Sequence, residues 1–272
     1  MLSFNNIGNL GRLANQMFQL ASLIGISENN GYDYCVPEKN VFGHSDMAVR
    51  ESPHNVVTVF PNTYRLFESK KGNPLFKRYP ETTHNFDEQL FNNCPDNVDL
   101  FGYYQSPKYF QNVEDKIHGL FAFEEGVVSD CLDLITKQLM LGGSELIALH
   151  IRRGDYVYNP NHPVQPIEYY EKALEKMPED IPVIVFSDDA EWCSKQKLFD
   201  GDRFMISEGN EAHYDMCLMT RCDYHIIANS SFSWWGAWLG KSKKIVAPKD
   251  WFGADCVYKD VHDMEFGNWS WL

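Results

Sequence analysis

The chain has 272 residues, with 24 Lys+Arg against 38 Asp+Glu for a formal net charge of −14, and is 44% hydrophobic and 14% aromatic. That apolar content excludes disorder and collagen-like repeats, and the acid excess argues against a surface that tracks nucleic-acid phosphates. Any phosphate bound here is held locally, by a few placed cations. Neither a run of about 18 apolar residues nor a signal-peptide pattern at Met1–Gly8 is present, so no integral membrane segment is expected. Seven scattered cysteines without a C-x-x-C pair fit free thiols and a cytoplasmic setting.

In chain order, Leu13, Met17, Leu20, Ala21 and Ile24 recur at helical spacing, with Asn15, Gln16 and Gln19 off that stripe. Residues 32–125 are weakly patterned. Asn55–Phe60 reads as a short strand among turns, and the aromatic segment Leu100–Phe110 closes this half. The second half alternates regularly. Strands are expected at 145–151, 181–186, near Phe204, 224–228 and 244–247, and helices at 132–141, 167–177, 190–198, 212–222 and 233–240. Such alternation predicts βαβ units and a parallel sheet covered on both faces. His150–Asp155, Ser187–Asp189 and Asn229–Ser231 fall at the C-terminal ends of predicted strands, where open α/β sheets line a ligand crevice.

Four groups of residues carry candidate chemistry. Arg152 and Arg153 follow a buried strand, and their forks match phosphate oxygens bidentately; pairing with local carboxylates is the alternative. Ser230, Ser231 and Ser233 stand at a helix start, suited either to an anion or to ordinary capping. The spacing of Trp234, Trp235 and Trp238 assigns them to packing. Asp215, if turned toward the crevice, is able to accept guanine N1–H and N2–H together; otherwise it is a solvated charge. Gly11–Gln16 opens the first helix, and Arg12 with its N–H groups faces the same anion or merely forms a turn and cap. The triplet Asp200-Gly201-Asp202 reads as a surface turn, and no histidine pair, P-loop or G-x-G-x-x-G pattern is present, so no metal site is expected.

Gly11–Gln19, Gly102–Phe110, His150–Tyr156 and Asn229–Trp238 together resemble glycosyltransferase family 11, the α-1,2-fucosyltransferases. Pro166–Tyr170, Phe186–Cys193 and Ala247–Phe252 are also similar. The resemblance spans residues 5–252, with Ala14 where the family usually has Gly. It implies an α/β, GT-B-like fold of two facing Rossmann-like halves with parallel sheets, divided as 1–125 on the acceptor side and 126–272 on the GDP-fucose side. It further implies metal-independent, inverting transfer of fucose from GDP-β-L-fucose to the 2-hydroxyl of a terminal galactose. By position, Arg152 is the β-phosphate ligand, His150 a base or ribose contact, and Asp215 the guanine carboxylate. Arg153, Asp188, Ser230 and Ser231 join the donor site, and Arg12 with Asn15 completes the pyrophosphate cleft. Asp155 is the candidate catalytic base, with Asp188 and Asp189 as rivals and a structural role pinning Arg153 as the alternative. Competing readings are a fucosyltransferase of another linkage, a glycan-binding module, and a metal-dependent enzyme using Asp200 and Asp202. The acceptor glycan and oligomeric state are not legible.

Overall fold

The computed structural model describes residues 1–37, 54–72, 74–139, 145–256 and 260–272. It divides into two compact units, Met1–Glu124 with Asp260–Glu265 and Glu125–Lys259 with Phe266–Leu272. Among the described residues no helix is long and apolar enough to cross a membrane.

Unit 1 is built on short strands: β1 Leu2–Ser3, β2 Tyr34–Cys35, β3 Lys77–Pro80 and β4 Val98–Phe101, parallel throughout in the order β2-β1-β4-β3. Helix α1, Leu13–Asn29, links β1 to β2 and is buried on nearly every side from Leu13 to Ser27. Gln16 and Gln19, off the apolar stripe in the sequence, are buried with it. Burial of an amide requires partners. Gln16 Nε2 donates to the Gly11 carbonyl (3.1 Å) while its Oε1 accepts from Val56 N (3.0 Å); Gln19 Nε2 donates to the Leu10 (3.0 Å) and Gly102 (3.1 Å) carbonyls.

The strand expected at Asn55–Phe60 is instead helix α2, Val56–Val59, followed by α3, Pro61–Ser69. The Asn55 side chain accepts from Val57 N (3.0 Å) and Thr58 N (3.1 Å), and Thr58 Oγ1 accepts from Asn55 N (3.0 Å). This reciprocal capping box overrides the β preference of three valines, and Pro61 starts the next helix. Helices α4, Glu88–Asn93, and α5, Glu114–Leu120, complete the unit. Asp263 accounts for the return of residues 260–265. Its carboxylate accepts from Phe86 N (2.9 Å) and pairs with Lys108, and its carbonyl accepts from Ser106 Oγ (2.7 Å).

Unit 2 runs α6 Glu125–Leu139, β5 Ile147–Ile151, α7 Ile167–Leu174, β6 Val183–Ser187, α8 Ala190–Cys193, β7 Phe204–Ile206, α9 Ala212–Met219, β8 Tyr224–Ile226, α10 Ser231–Leu239, β9 Lys244–Ala247 and β10 Trp269–Trp271. All six strands are parallel, in the order β7-β6-β5-β8-β9-β10. Counted from β5, that is the 3-2-1-4-5-6 order of dinucleotide-binding sheets. The central strand β5 is buried at every residue, as a parallel strand covered on both faces must be. Ile147, Leu149 and Ile151 join Val183, Val185, Ile226 and Val246 in one core with Tyr169, Tyr170, Ala173 and Leu174 of α7.

Several elements differ from the sequence reading in extent. The helix expected at 132–141 begins at Glu125, and its expected end at Gly142-Gly143 lies outside the described residues. The helix expected at 190–198 is one turn, α8, and then a 3₁₀ turn at Lys197–Phe199. Strand β10, a three-residue edge too short to show a period, was not expected. The tryptophans of α10 pack as expected: Trp234 and Trp235 are fully buried, and Trp234 stacks on Trp238 at 6.2 Å.

Candidate functional site

The order of the unit 2 sheet reverses between β5 and β8, and ligands of such sheets lie outside the strand ends at that point. The chain leaves β5 as Arg152-Arg153-Gly154-Asp155 and leaves β8 toward Asn229-Ser230, the cap of α10. His150, the fourth residue of β5, bridges the two: its Nδ1 lies 2.9 Å from Ser233 Oγ, and that hydroxyl donates to the Ser230 carbonyl at 3.3 Å. With the serine proton committed, the imidazole proton belongs on Nδ1 and Nε2 keeps a lone pair. Burial, reinforced by the Arg152 charge, pushes the His150 pKa down to about 3, so the ring is neutral.

Both arginines are spoken for by carboxylates. Arg152 pairs with Asp155 and, through Nη1, with Asp188 Oδ2 at 2.7 Å. Asp188 Oδ1 also accepts from the Arg153 backbone N–H at 2.8 Å. Arg153 Nε donates to Asp189 Oδ2 at 3.0 Å, and its guanidinium lies over the Trp192 ring at 4.2 Å. The carboxylate that pins Arg153 is therefore Asp189, and Asp155 holds Arg152. The Arg153 bond keeps Asp189 below the usual carboxylate range, and Asp189 also caps α8 by accepting from Trp192 N. Gly154 is required by this arrangement, since a Cβ there would lie 2.4 Å from Asp188 Oδ2. The pairs differ in exposure. Asp155 has half its side-chain surface open (51%), whereas Asp188 is more enclosed (25%), so Asp155 is the partner an incoming anion displaces at least cost.

The Tyr156 ring lies against Arg152. The guanidinium lies 5.2 Å from its ring centroid, its hydroxyl donates to the Asn229 carbonyl (3.2 Å), and His162 stacks on the ring at 5.0 Å. Ser230 caps α10 by accepting from Phe232 N at 3.3 Å, and Ser231 is the first residue of that helix. Asp215 sits in the first turn of α9, beyond the end of β7. Its Oδ1 accepts from Ser207 Oγ (2.7 Å) and Asn210 Nδ2 (3.4 Å), and burial pushes its pKa up to about 6. Asp200 and Asp202 are exposed and flank Gly201, whose φ is +100°, in a surface turn.

The remaining sequence candidates belong to unit 1. Arg12 is the exposed N-cap residue of α1, and Asn15 Oδ1 accepts from Gln105 Nε2 at 2.7 Å. Ala14 is buried. At the same C-terminal edge of that sheet, Glu81 follows β3 and accepts from Tyr103 N (2.7 Å) and Tyr104 N (2.9 Å) just past β4. Sequence reasoning missed Glu81, Gln105, Tyr156 and His162. Tyr156 alone carried a local signal, being next to Asp155; the others depend on contacts between distant segments.

Two α/β units with parallel sheets, the second in nucleotide-binding strand order, define a GT-B-like fold. Residues 2–272 match Glycosyl transferase family 11, and the chain belongs to that family. It is 37% identical over 68% of its length to the O-antigen biosynthesis glycosyltransferase WbnK of Escherichia coli, and 34% identical over 61% to an alpha-1,2-colitosyltransferase of the same organism. These matches span 64% and 60% of the two relatives' own lengths. It is 26% identical over 88% of its length to galactoside alpha-(1,2)-fucosyltransferase 2 of Sus scrofa, covering 70% of that protein. Among solved structures, NodZ alpha-1,6-fucosyltransferase co-crystallised with GDP is similar in fold, with TM-score 0.54, 14% identity, and 90% and 93% of the two chains covered. POFUT1 in complex with GDP gives TM-score 0.50 and 13% identity over 89% and 94%.

Proposed function

We propose that this family 11 enzyme moves L-fucose from GDP-β-L-fucose to the 2-hydroxyl of a terminal galactose, inverting the anomeric centre and using no metal. The observation that carries the reading is Arg152 at the β5–β8 switch point, held ready by two carboxylates of unequal exposure beside a neutral histidine. A diphosphate entering there exchanges for Asp155 on Arg152, while Asp188 and the Tyr156 ring keep the guanidinium in place. Breaking the fucose–phosphate bond builds negative charge on GDP. A fixed guanidinium and the N–H groups at the start of α10, next to Ser230 and Ser231, stabilise it without reorganising. Arg153 shapes this cradle from its seat on Trp192.

His150 offers a neutral Nε2 lone pair to a ribose hydroxyl or a base N–H, and Asp215 reads guanine through its carboxylate. Asp155 is paired with the Arg152 guanidinium; we assign it the holding of Arg152 before the donor arrives.

A second reading rests on the 34% identity to a protein named an alpha-1,2-colitosyltransferase: the donor sugar is colitose, which is L-fucose without its 3-hydroxyl. Incubation with GDP-fucose and GDP-colitose in parallel, over a panel of galactosides, with products analysed by mass and linkage, tests both. An α-1,2-fucosylated galactoside supports the first reading, exclusive colitosyl transfer selects the second, and a different linkage contradicts the acceptor assignment in either.

A further inference from the structure

The turn that follows Arg152-Arg153 carries apolar surface that the fold does not use. Gly154–Tyr158 form a 3₁₀ turn in which no residue is buried. Tyr158 is 91% exposed, the most open aromatic ring among the described residues, and its neighbour Val157 is exposed as well. A ring left in water forgoes the stabilisation that burial would give it.

The loop that presents this ring is fixed at several points. His162 N–H donates to the Asn159 carbonyl (3.2 Å), Asn161 N–H to Asn159 Oδ1 (3.0 Å), and Gly253 N–H to the Asn161 carbonyl (2.9 Å). The buried Asn229 side chain ties the loop to the segment after β9, its Nδ2 donating to the Pro163 and Trp251 carbonyls, both at 3.0 Å. The two segments approach so closely that a Cβ on Gly253 would lie 1.8 Å from the Pro160 carbonyl oxygen. Tyr158 is thus held out into solvent by an ordered loop, at the rim of the donor cradle.

Its place follows from the turn itself. Side chains three residues apart in a 3₁₀ turn eclipse one another. Tyr158 therefore shares a face with Asp155, which pairs with Arg152 and which, on the reading above, an entering diphosphate displaces. A β-galactoside has one face of C–H groups, because its axial 4-hydroxyl points to the other, and an aromatic ring is suited to cover that face while the hydroxyls keep polar partners. Asn161, exposed on the same loop, offers such a partner in its side-chain amide. The openness of the ring suits the acceptor better than the donor, since a terminal galactose is the end of a glycan that runs on into solvent.

We propose that Tyr158 is the platform on which the terminal galactose of the acceptor stacks; this rests on the galactoside-transferase reading above. The ring sets acceptor affinity through its face, and its hydroxyl is dispensable. It takes no part in holding GDP.

The test compares wild type, Tyr158→Ala and Tyr158→Phe in transfer to methyl β-D-galactoside at saturating donor, with GDP affinity measured by calorimetry on each. Tyr158→Ala is expected to raise the acceptor KM roughly tenfold while kcat and GDP affinity stay within about threefold of wild type. Tyr158→Phe keeps the ring and is expected to stay within about threefold of the wild-type KM. In a parallel NMR titration of the wild type with methyl β-D-galactoside, the Tyr158 ring protons, assigned by their loss in Tyr158→Phe, are expected to shift. A Tyr158→Ala variant whose acceptor KM stays within about threefold of wild type overturns the proposal. So does an equal loss of GDP affinity, which would mark the turn as a support for Arg152. A change of oligomeric state with the acceptor KM unchanged also overturns it, and would mark the ring as a protein contact. A wild type that binds GDP but transfers to no galactoside defeats the acceptor reading, and the platform falls with it. A wild type that binds no GDP defeats the donor reading instead; the NMR titration then decides the platform, and ring protons that do not shift overturn it.

Discussion

The two sheet edges hold their side chains by different means. At the edge of unit 2, Arg152, Arg153, Asp155, Asp188 and Asp189 make short-range ion pairs among loops that leave neighbouring strands. At the edge of unit 1, neutral amides do the holding: Gln16, Gln19 and Gln105 join residues 5 to 90 positions apart, and the Glu81 carboxylate accepts from two backbone N–H groups. An edge built of charge is suited to receive charge, because an anion entering it exchanges one ionic partner for another. An edge built of amides leaves its carboxylate basic. The contrast predicts that charge changes on unit 2 act on the donor, whereas changes on unit 1 act on the acceptor or on stability.

The largest expected effect is that of Arg152→Ala, which removes the cation proposed to face the departing diphosphate. Loss of such a group costs about 3–4 kcal/mol of transition-state stabilisation, or roughly a hundred- to thousandfold in rate. Arg152→Lys is expected to recover little, since a point charge does not reproduce the fork. Initial rates of GDP release check both, and activity within threefold of wild type for Arg152→Ala contradicts the assignment.

Asp215→Asn comes next. If the carboxylate reads guanine, its loss weakens GDP binding by about 1–3 kcal/mol. The effect has a definite sign with pH. Asp215 titrates near 6, so as pH falls through that value the wild type gains a proton and loses its acceptor. The difference between wild type and variant is expected to be full at pH 7.5 and to shrink at pH 5, as measured by GDP calorimetry on both. A difference that does not change with pH argues against this carboxylate as the guanine contact.

These two predictions concern residues that the sequence already exposed, for a physical reason. Polar residues clustered at the ends of buried strands are visible as a change from apolar run to polar cluster, and β5, β6 and β8 each lead into one, whereas Asp215 was singled out within the helix expected before β8. The parallel sheet of unit 2 followed from the alternation of elements, whereas its strand order is seen only in the structure. Much of unit 1 was not legible because its strands have two to four residues, too few to show a period, and because Asn55 and Thr58 turned a β-branched run into a helix. Glu81 was hidden for another reason. Nothing next to it in sequence distinguishes it from a solvated glutamate; only the pairing of β3 with β4 brings Tyr103 and Tyr104 onto its oxygens. The same holds within unit 2 for Asp189, whose bond to Arg153 spans 36 residues.

Gly154→Ala sharpens the comparison on the charged side. The new methyl meets Asp188 and pushes it off Arg152, and a loss of roughly tenfold in transfer is expected with the fold retained. On the amide side, Gln19→Leu strands the buried carbonyls of Leu10 and Gly102. Its expected cost is about 1–3 kcal/mol of stability in chemical denaturation, with GDP affinity little changed. Equal damage to GDP affinity from both variants would erase the distinction between the edges. Asp155→Asn has the smallest effect: freeing Arg152 from a half-exposed partner is expected to tighten GDP binding roughly threefold, in line with the modest strength of such pairs.

The most direct test of the account is a calorimetric titration of GDP into the wild type and Arg152→Ala, each with a chelator and with added magnesium or manganese. The account predicts wild-type affinity that is the same in chelator and in metal, and binding that collapses in the variant under both conditions. Binding that required the metal and was indifferent to residue 152 would contradict it.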